Sequence, residues 1–184
     1  KKNKSDWAEG FVVAYRSYSE DRVQPFCAHF GICGGCQWQM LPYAKQLLYK
    51  QQQVTDNLTR IGRIQLPDIQ PIIGASQTEL YRNKMEYTFA TKKYIPSEEF
   101  RALKAAGADF SNQPGAAGFH VRGFFDKVVE VDTCHLQEEP TNLIRKMVAK
   151  YALDHDLPYY DVKQHTGWLR NMFVRNTTTG ELMI

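Results

Sequence analysis

The chain has 184 residues and carries 23 lysines and arginines against 20 aspartates and glutamates, a net charge of +3. A composition of 43% hydrophobic and 23% charged residues is that of a folded domain with a core of its own and excludes a disordered segment. The small positive charge does not by itself argue for nucleic acid; no apolar run is long enough for a membrane span, and no signal-peptide pattern opens the chain. A cytoplasmic monomer with reduced thiols and no membrane partner is therefore expected.

Residues 7–15 read as one short strand, through Gly10-Phe11-Val12-Val13-Ala14-Tyr15, and residues 16–40 as a polar loop. From Pro42 onward Ala44, Leu47, Leu48, Val54, Leu58 and Ile61 recur at helical spacing, with Lys45, Lys50, Gln52, Gln53, Asp56 and Arg60 opposite and Gly62 as the stop. Residues 81–90 alternate, Met85, Tyr87 and Phe89 on one face and Lys84, Glu86 and Thr88 on the other, which predicts a half-buried strand. A short helix is expected over 97–107, capped by Ser97 and ended by Gly107. Strands over 115–121 and 127–131 should form a hairpin around residues 122–126. Leu143, Ile144, Met147, Val148, Tyr151 and Ala152 define a second main helix starting near Pro140, and 168–175 with 181–184 a last hairpin. Segregated strands and helices imply an α+β fold: a central antiparallel sheet, two main helices and a cysteine-rich loop. A chain that stops in the apolar Leu182-Met183-Ile184 is expected to be a piece of a longer protein.

Cys27, Cys33 and Cys36 stand as Cys-x5-Cys-Gly-Gly-Cys, and the fourth and last cysteine is Cys134. Soft, deprotonatable ligands in one local group, closed by a distant fourth, suit an iron–sulfur cluster. The Gly34-Gly35 pair would let the backbone approach such a cluster and aim N–H groups at its sulfurs. Structural zinc also accepts the Cys33-x2-Cys36 spacing, although zinc sites usually bring their ligands as two close pairs. Two disulfides, disfavoured in a reducing compartment, and ordinary buried thiols complete the alternatives. Phe30 and Trp38 flank the thiols as shields, and His29 and His135 are expected to be neighbours rather than ligands, since four thiolates complete a site.

Residues 26–39, Phe-Cys-Ala-His-Phe-Gly-Ile-Cys-Gly-Gly-Cys-Gln-Trp-Gln, closely resemble the iron–sulfur block of the RNA uracil-5 methyltransferases, in the 23S ribosomal RNA branch of RumA type. Tyr81-Arg82-Asn83-Lys84-Met85-Glu86-Tyr87-Thr88, Gly118-Phe119 and Val129-Glu130-Val131-Asp132-Thr133-Cys134 resemble later segments of that family in the same order, so the likeness spans residues 20–184. The resemblance implies a 4Fe-4S cluster on Cys27, Cys33, Cys36 and Cys134. It also implies a central iron–sulfur and RNA-recognition domain over 20–184, with residues 1–19 as the remnant strand of an N-terminal oligonucleotide-binding barrel. S-adenosylmethionine, the cysteine nucleophile and the proton-abstracting carboxylate would belong to a C-terminal domain. Neither catalytic nor S-adenosylmethionine-binding residues are expected here, so the piece alone should be inactive while the intact protein forms 5-methyluridine.

Ribosomal RNA as the partner calls for cations on phosphates and flat surfaces for unstacked bases. Arg82 and Lys84 at the start of one strand, Phe119, His120 and Arg122 on the next, and Lys127 on its hairpin partner are the candidate contacts. Phe119 equally fits the core, by its alternation with Val121. Two further functions compete: a zinc-stapled nucleic-acid-binding module without a catalytic role, and an electron carrier, which would usually bring denser cysteines in a smaller chain.

Overall fold

The computed structural model describes every residue except Lys1, Lys4, Asp6, Asn112 and Gln113. Two short strands come first: β1, Lys2–Asn3, pairs antiparallel with β2, Ala8–Glu9, as a sheet of their own. The strand expected over 7–15 is thus confined to β2. Residues 10–15 lie in no strand, and Phe11, Val12, Val13 and Tyr15 are exposed. A strand apolar on both faces needs cover on both, and nothing packed here supplies it.

Helix α1, Tyr43–Asp56, starts after Pro42 and passes into a single π-helical turn, Asn57–Ile61, before Gly62. The main sheet has five strands in the order β5-β4-β3-β6-β7, all antiparallel: β3 is Lys84–Ala90, β4 Ala116–His120, β5 Val128–Val129, β6 Asn171–Asn176 and β7 Leu182–Met183. Helix α2, Ser97–Ala105, lies between β3 and β4. Its cap position falls on Pro96 rather than Ser97, whose side chain makes no capping bond; Glu98 and Glu99 favour the first turn instead. Helix α3, Thr141–Asp154, lies between β5 and β6. Three helices and an antiparallel sheet agree with the expected α+β class.

Alternation on the central strands decides where the core sits. Met85, Tyr87 and Phe89 of β3, Ala117 of β4, and Met172 and Val174 of β6 are buried together, covered by Leu136, Ile144, Val148, Ala149, Tyr159 and Leu169. A second cluster, Val121, Val129 and Val131, packs against Ile32, Cys33, Phe119 and Cys134, so the cysteine segments close one corner of the core. The opposite sheet face carries Lys84, Glu86, Asn171, Phe173 and Arg175 into solvent. Two helical stripes differ from expectation. Leu48, Val54 and Ile61 are exposed on α1 and its π turn, and Leu143, Met147 and Tyr151 are exposed on α3. Helix α3 is rotated because Asn142 and Arg145 point inward to bond the backbone beneath.

Candidate metal centre

The loop before α1 folds into tight turns that display its thiols. Phe30 N–H donates to the Cys27 carbonyl at 3.1 Å, and Ile32 and Cys33 N–H both donate to the His29 carbonyl, at 3.2 and 2.9 Å. The loop is then sewn to the end of β4. Cys33 bridges Val121 antiparallel, and Gly34 N–H donates to the His120 carbonyl at 3.0 Å. A Cβ at Gly34 would stand 2.8 Å from that same oxygen, whereas one at Gly35 would meet only the Cys33 sulfur, at 3.6 Å. The two glycines therefore have different reasons. Gly34 admits the strand backbone, and the N–H of Gly35 acts on the Cys33 thiol.

The fourth thiol is positioned by α3. Asn142 grips the Cys134 backbone from both sides: its Oδ1 accepts from Cys134 N–H at 2.8 Å and its Nδ2 donates to the Cys134 carbonyl at 3.2 Å, with Glu139 fixing the amide at 2.8 Å. Arg145, 4% exposed, donates to the carbonyls of Ala117 at 3.3 Å, of Asp132 at 3.4 Å and, most closely, of Val131; its guanidinium lies 5.7 Å over the Tyr87 ring. Further contacts join the halves. His29 Nε2 accepts the Asp132 N–H at 3.0 Å, and the Phe26 ring meets His135 edge-on at 5.2 Å. Gln39 steadies the loop by accepting the Cys27 N–H through Oε1 at 3.3 Å.

All four cysteines are free and half-buried. All four line one cavity of about 300 Å³, together with His29, Phe30, Phe119, Val131 and Arg82. The cavity exists because β3 pairs with β4 only over Thr88–Ala90; β4 then turns away toward Cys33 and leaves space beside residues 84–86. Burial pushes the Cys33 and Cys134 thiols above their ordinary value of 9.0. The other cysteines add to this, and N–H groups of Gly35 and Leu136 oppose it. Among the described residues, no three His, Cys, Asp or Glu side chains converge on a single-ion position.

Phe30 lines the cavity as expected; Trp38 lies outside it, in an adjoining groove with Cys36 and Tyr81. The six candidate RNA contacts fall in three places. Arg82, Lys84 and Phe119 border the thiol cavity, and the half-buried Phe119 ring lies 5.1 Å from Tyr87. His120 is on the open face with Nε2 3.3 Å from Thr88 Oγ1. Exposed Arg122 and half-buried Lys127, whose Nζ lies 4.9 Å over Phe124, flank the β4–β5 turn. Sequence reading missed Gln39, Asn142 and Arg145. The one available signal was an arginine and an asparagine inside an apolar helical repeat.

No family model matches the chain. Over its full length it is 45% identical to an uncharacterized RNA methyltransferase of Bacteroides thetaiotaomicron, 41% to one of Porphyromonas gingivalis and 36% to one of Chlorobaculum tepidum. Its relatives are named RNA methyltransferases. The chain spans 37–39% of the length of these three. It also superposes on the Pyrococcus abyssi tRNA (uracil-54, C5)-methyltransferase, solved with S-adenosyl-L-homocysteine, with a TM-score of 0.55 at 20% identity, covering 90% of this chain and 31% of that one. That likeness is one of fold. Among the described residues, no helix is long and apolar enough to cross a membrane.

Proposed function

We propose that this chain is the iron–sulfur and RNA-recognition domain of an S-adenosylmethionine-dependent uracil-5 methyltransferase acting on 23S ribosomal RNA. The observation that carries the reading is that all four cysteines line one cavity, in a chain whose relatives are named RNA methyltransferases. The fold it has in common with a tRNA uracil-5 methyltransferase supports the choice of base. Residues 1–19 are assigned to the end of an oligonucleotide-binding barrel. S-adenosylmethionine and the reacting groups are assigned to sequence that this chain does not contain, because all four cysteines serve one site and none is left to add to uracil.

Cys27, Cys33, Cys36 and Cys134 would hold a 4Fe-4S cluster. A single zinc needs every sulfur about 2.3 Å from one point. A cavity of about 300 Å³ instead has roughly ten times the volume of one water in liquid, enough for a group of several atoms. Bound there, the cluster supplies a covalent staple between two segments that the chain otherwise joins by a few weak contacts. The chain's own residues do the rest: Gly35 and Leu136 direct N–H groups at sulfur, Asn142 and Arg145 hold the Cys134 segment, and Phe30 and Phe119 limit water at the cavity wall. Arg82, Lys84, Phe119, His120, Arg122 and Lys127 are proposed as RNA contacts.

The deciding measurement is iron and acid-labile sulfide on protein purified without oxygen. About four of each per chain is expected; one zinc and no sulfide would replace the cluster by a zinc staple. Methyl transfer by the full-length protein, read as 5-methyluridine in transcripts of 23S ribosomal RNA and of tRNA, tests the reaction. Product in tRNA alone would overturn the ribosomal assignment.

A further inference from the structure

The open face of the sheet carries a group of side chains that the proposed RNA contacts include only in part. On neighbouring strands β3 and β6, Lys84 is the direct cross-strand partner of Arg175, and Glu86 that of Phe173. Like charges placed opposite each other destabilise a sheet. Among the described residues neither cation has an acidic partner within 4.0 Å; Glu86 accepts from Asn171 Nδ2 at 3.0 Å, and Glu181, diagonal to Arg175, accepts from the Thr177 and Thr179 hydroxyls. Phe173 lies beside them, 44% exposed, with Lys84 Nζ 5.7 Å from its ring centre. Among the described residues, Lys84, Glu86, Asn171, Phe173 and Arg175 are all exposed on this face, and the helix α3 residues Ile144, Val148 and Ala149 pack on the Tyr87 side. Two cations on paired backbone positions next to an exposed ring suit an anion attached to a flat group.

We infer that Lys84, Phe173 and Arg175 form a nucleotide subsite on the open sheet face, which takes one unpaired nucleotide of the substrate RNA with its base on Phe173 and its phosphate between the two cations. The inference rests on the RNA reading above and adds to it the place and class of the contact. Charge complementarity selects single-stranded RNA: a phosphate relieves the Lys84–Arg175 repulsion, and aromatic stacking accepts any base. Phe173 takes part only because strand alternation turns it away from Met172 and Val174.

The test uses full-length protein, filter binding to a labelled 23S ribosomal RNA transcript between 50 and 200 mM salt, and four variants. Phe173→Leu keeps an apolar side chain and loses the aromatic face; it should weaken binding about tenfold with the salt slope intact, while Phe173→Trp binds as wild type. Lys84→Gln and Arg175→Gln should each reduce the slope of log K against log salt by about 0.7, the value for one phosphate on a single strand. Arg175→Gln should also melt no lower than wild type, because it removes a repulsion. If wild type binds the transcript and Phe173→Leu, Lys84→Gln and Arg175→Gln bind equally well, the subsite is refuted and the RNA reading stands. If Arg175→Gln lowers the melting temperature, protein covers this face and the subsite is again refuted. If wild type binds neither 23S nor tRNA transcripts, the RNA reading fails and the subsite with it.

Discussion

Replacing Arg145 by methionine should loosen the segment that presents Cys134. The side chain is buried and its guanidinium reaches three carbonyls, two of them at 3.3 and 3.4 Å and the Val131 carbonyl closer. A hydrogen bond from a charged donor contributes about 1.5–3 kcal/mol, and the two long bonds count for less. Methionine fills much of the volume and removes the cost of burying the charge, which offsets part of the loss. A net destabilisation of about 3 kcal/mol remains, set against a total stability of roughly 5–15 kcal/mol. For a chain of this size that corresponds to a fall of about 6–12 °C in Tm. Circular dichroism on metal-free protein reads the fall, and iron per chain after anaerobic purification should drop with it. A variant that melts within about 2 °C of wild type, below the smallest shift expected for 1 kcal/mol, and loads iron normally would refute the account of α3 as the clamp on Cys134.

Gly34→Ala should destabilise the cysteine loop strongly, because its Cβ would press on the His120 carbonyl, and Gly35→Ala much less; thermal melts of the metal-free pair would show the contrast reversed or absent if the account is wrong. Tyr87→Phe removes a fully buried hydroxyl that has no hydrogen-bond partner, so it should raise stability by up to about 1 kcal/mol in urea unfolding; a clear loss would mean that the hydroxyl is bonded. Cys134→Ser should lower the melting temperature of the iron-loaded domain as a whole, and a wild-type melt with iron still bound would contradict the staple. The Lys163 ammonium, 2.7 Å from Asp126, holds that carboxyl below its ordinary 3.8. The folded-state value is the lower one, so the pair's contribution is complete above pH 3.8 and is lost as pH falls through the depressed value. Asp126→Asn should therefore flatten the acid limb of stability below about pH 4, and an unchanged limb would show that the pair contributes nothing.

Period-two alternation makes β3 and β6 legible in the sequence, because a half-buried strand must sort its side chains by face. The thiol set is legible because clustered cysteines have few other uses. The helical stripes are less so. Counting apolar residues puts Leu143, Met147 and Tyr151 on the inner face of α3, while Arg145 and Asn142 take that place by bonding backbone carbonyls and an N–H outside the helix, a gain that no hydrophobic repeat encodes. The contact of Gly34 with the His120 carbonyl is hidden for a similar reason, since it comes from a strand that lies next to it only after folding. Phe173 and Arg175 pass as ordinary hairpin residues, because which face of a strand stays open depends on where the helices pack.

The bond from Asp132 to His29 joins positions 103 residues apart, and the first three thiols stand at a similar remove, about 100 residues, from the fourth. Closing a loop of that size costs on the order of 4 kcal/mol in chain entropy, and β3, β4 and β5 all lie inside it. During synthesis at about 5–20 residues per second, Cys36 leaves the ribosome some 5–20 seconds before Cys134 does. For that interval three thiols are displayed with nothing to complete them, and any soft metal ion in the cell can reach them. The strand that completes β3, β6 at Asn171–Asn176, follows Cys134 in the chain, so the fourth thiol is synthesised before the sheet beneath it can close.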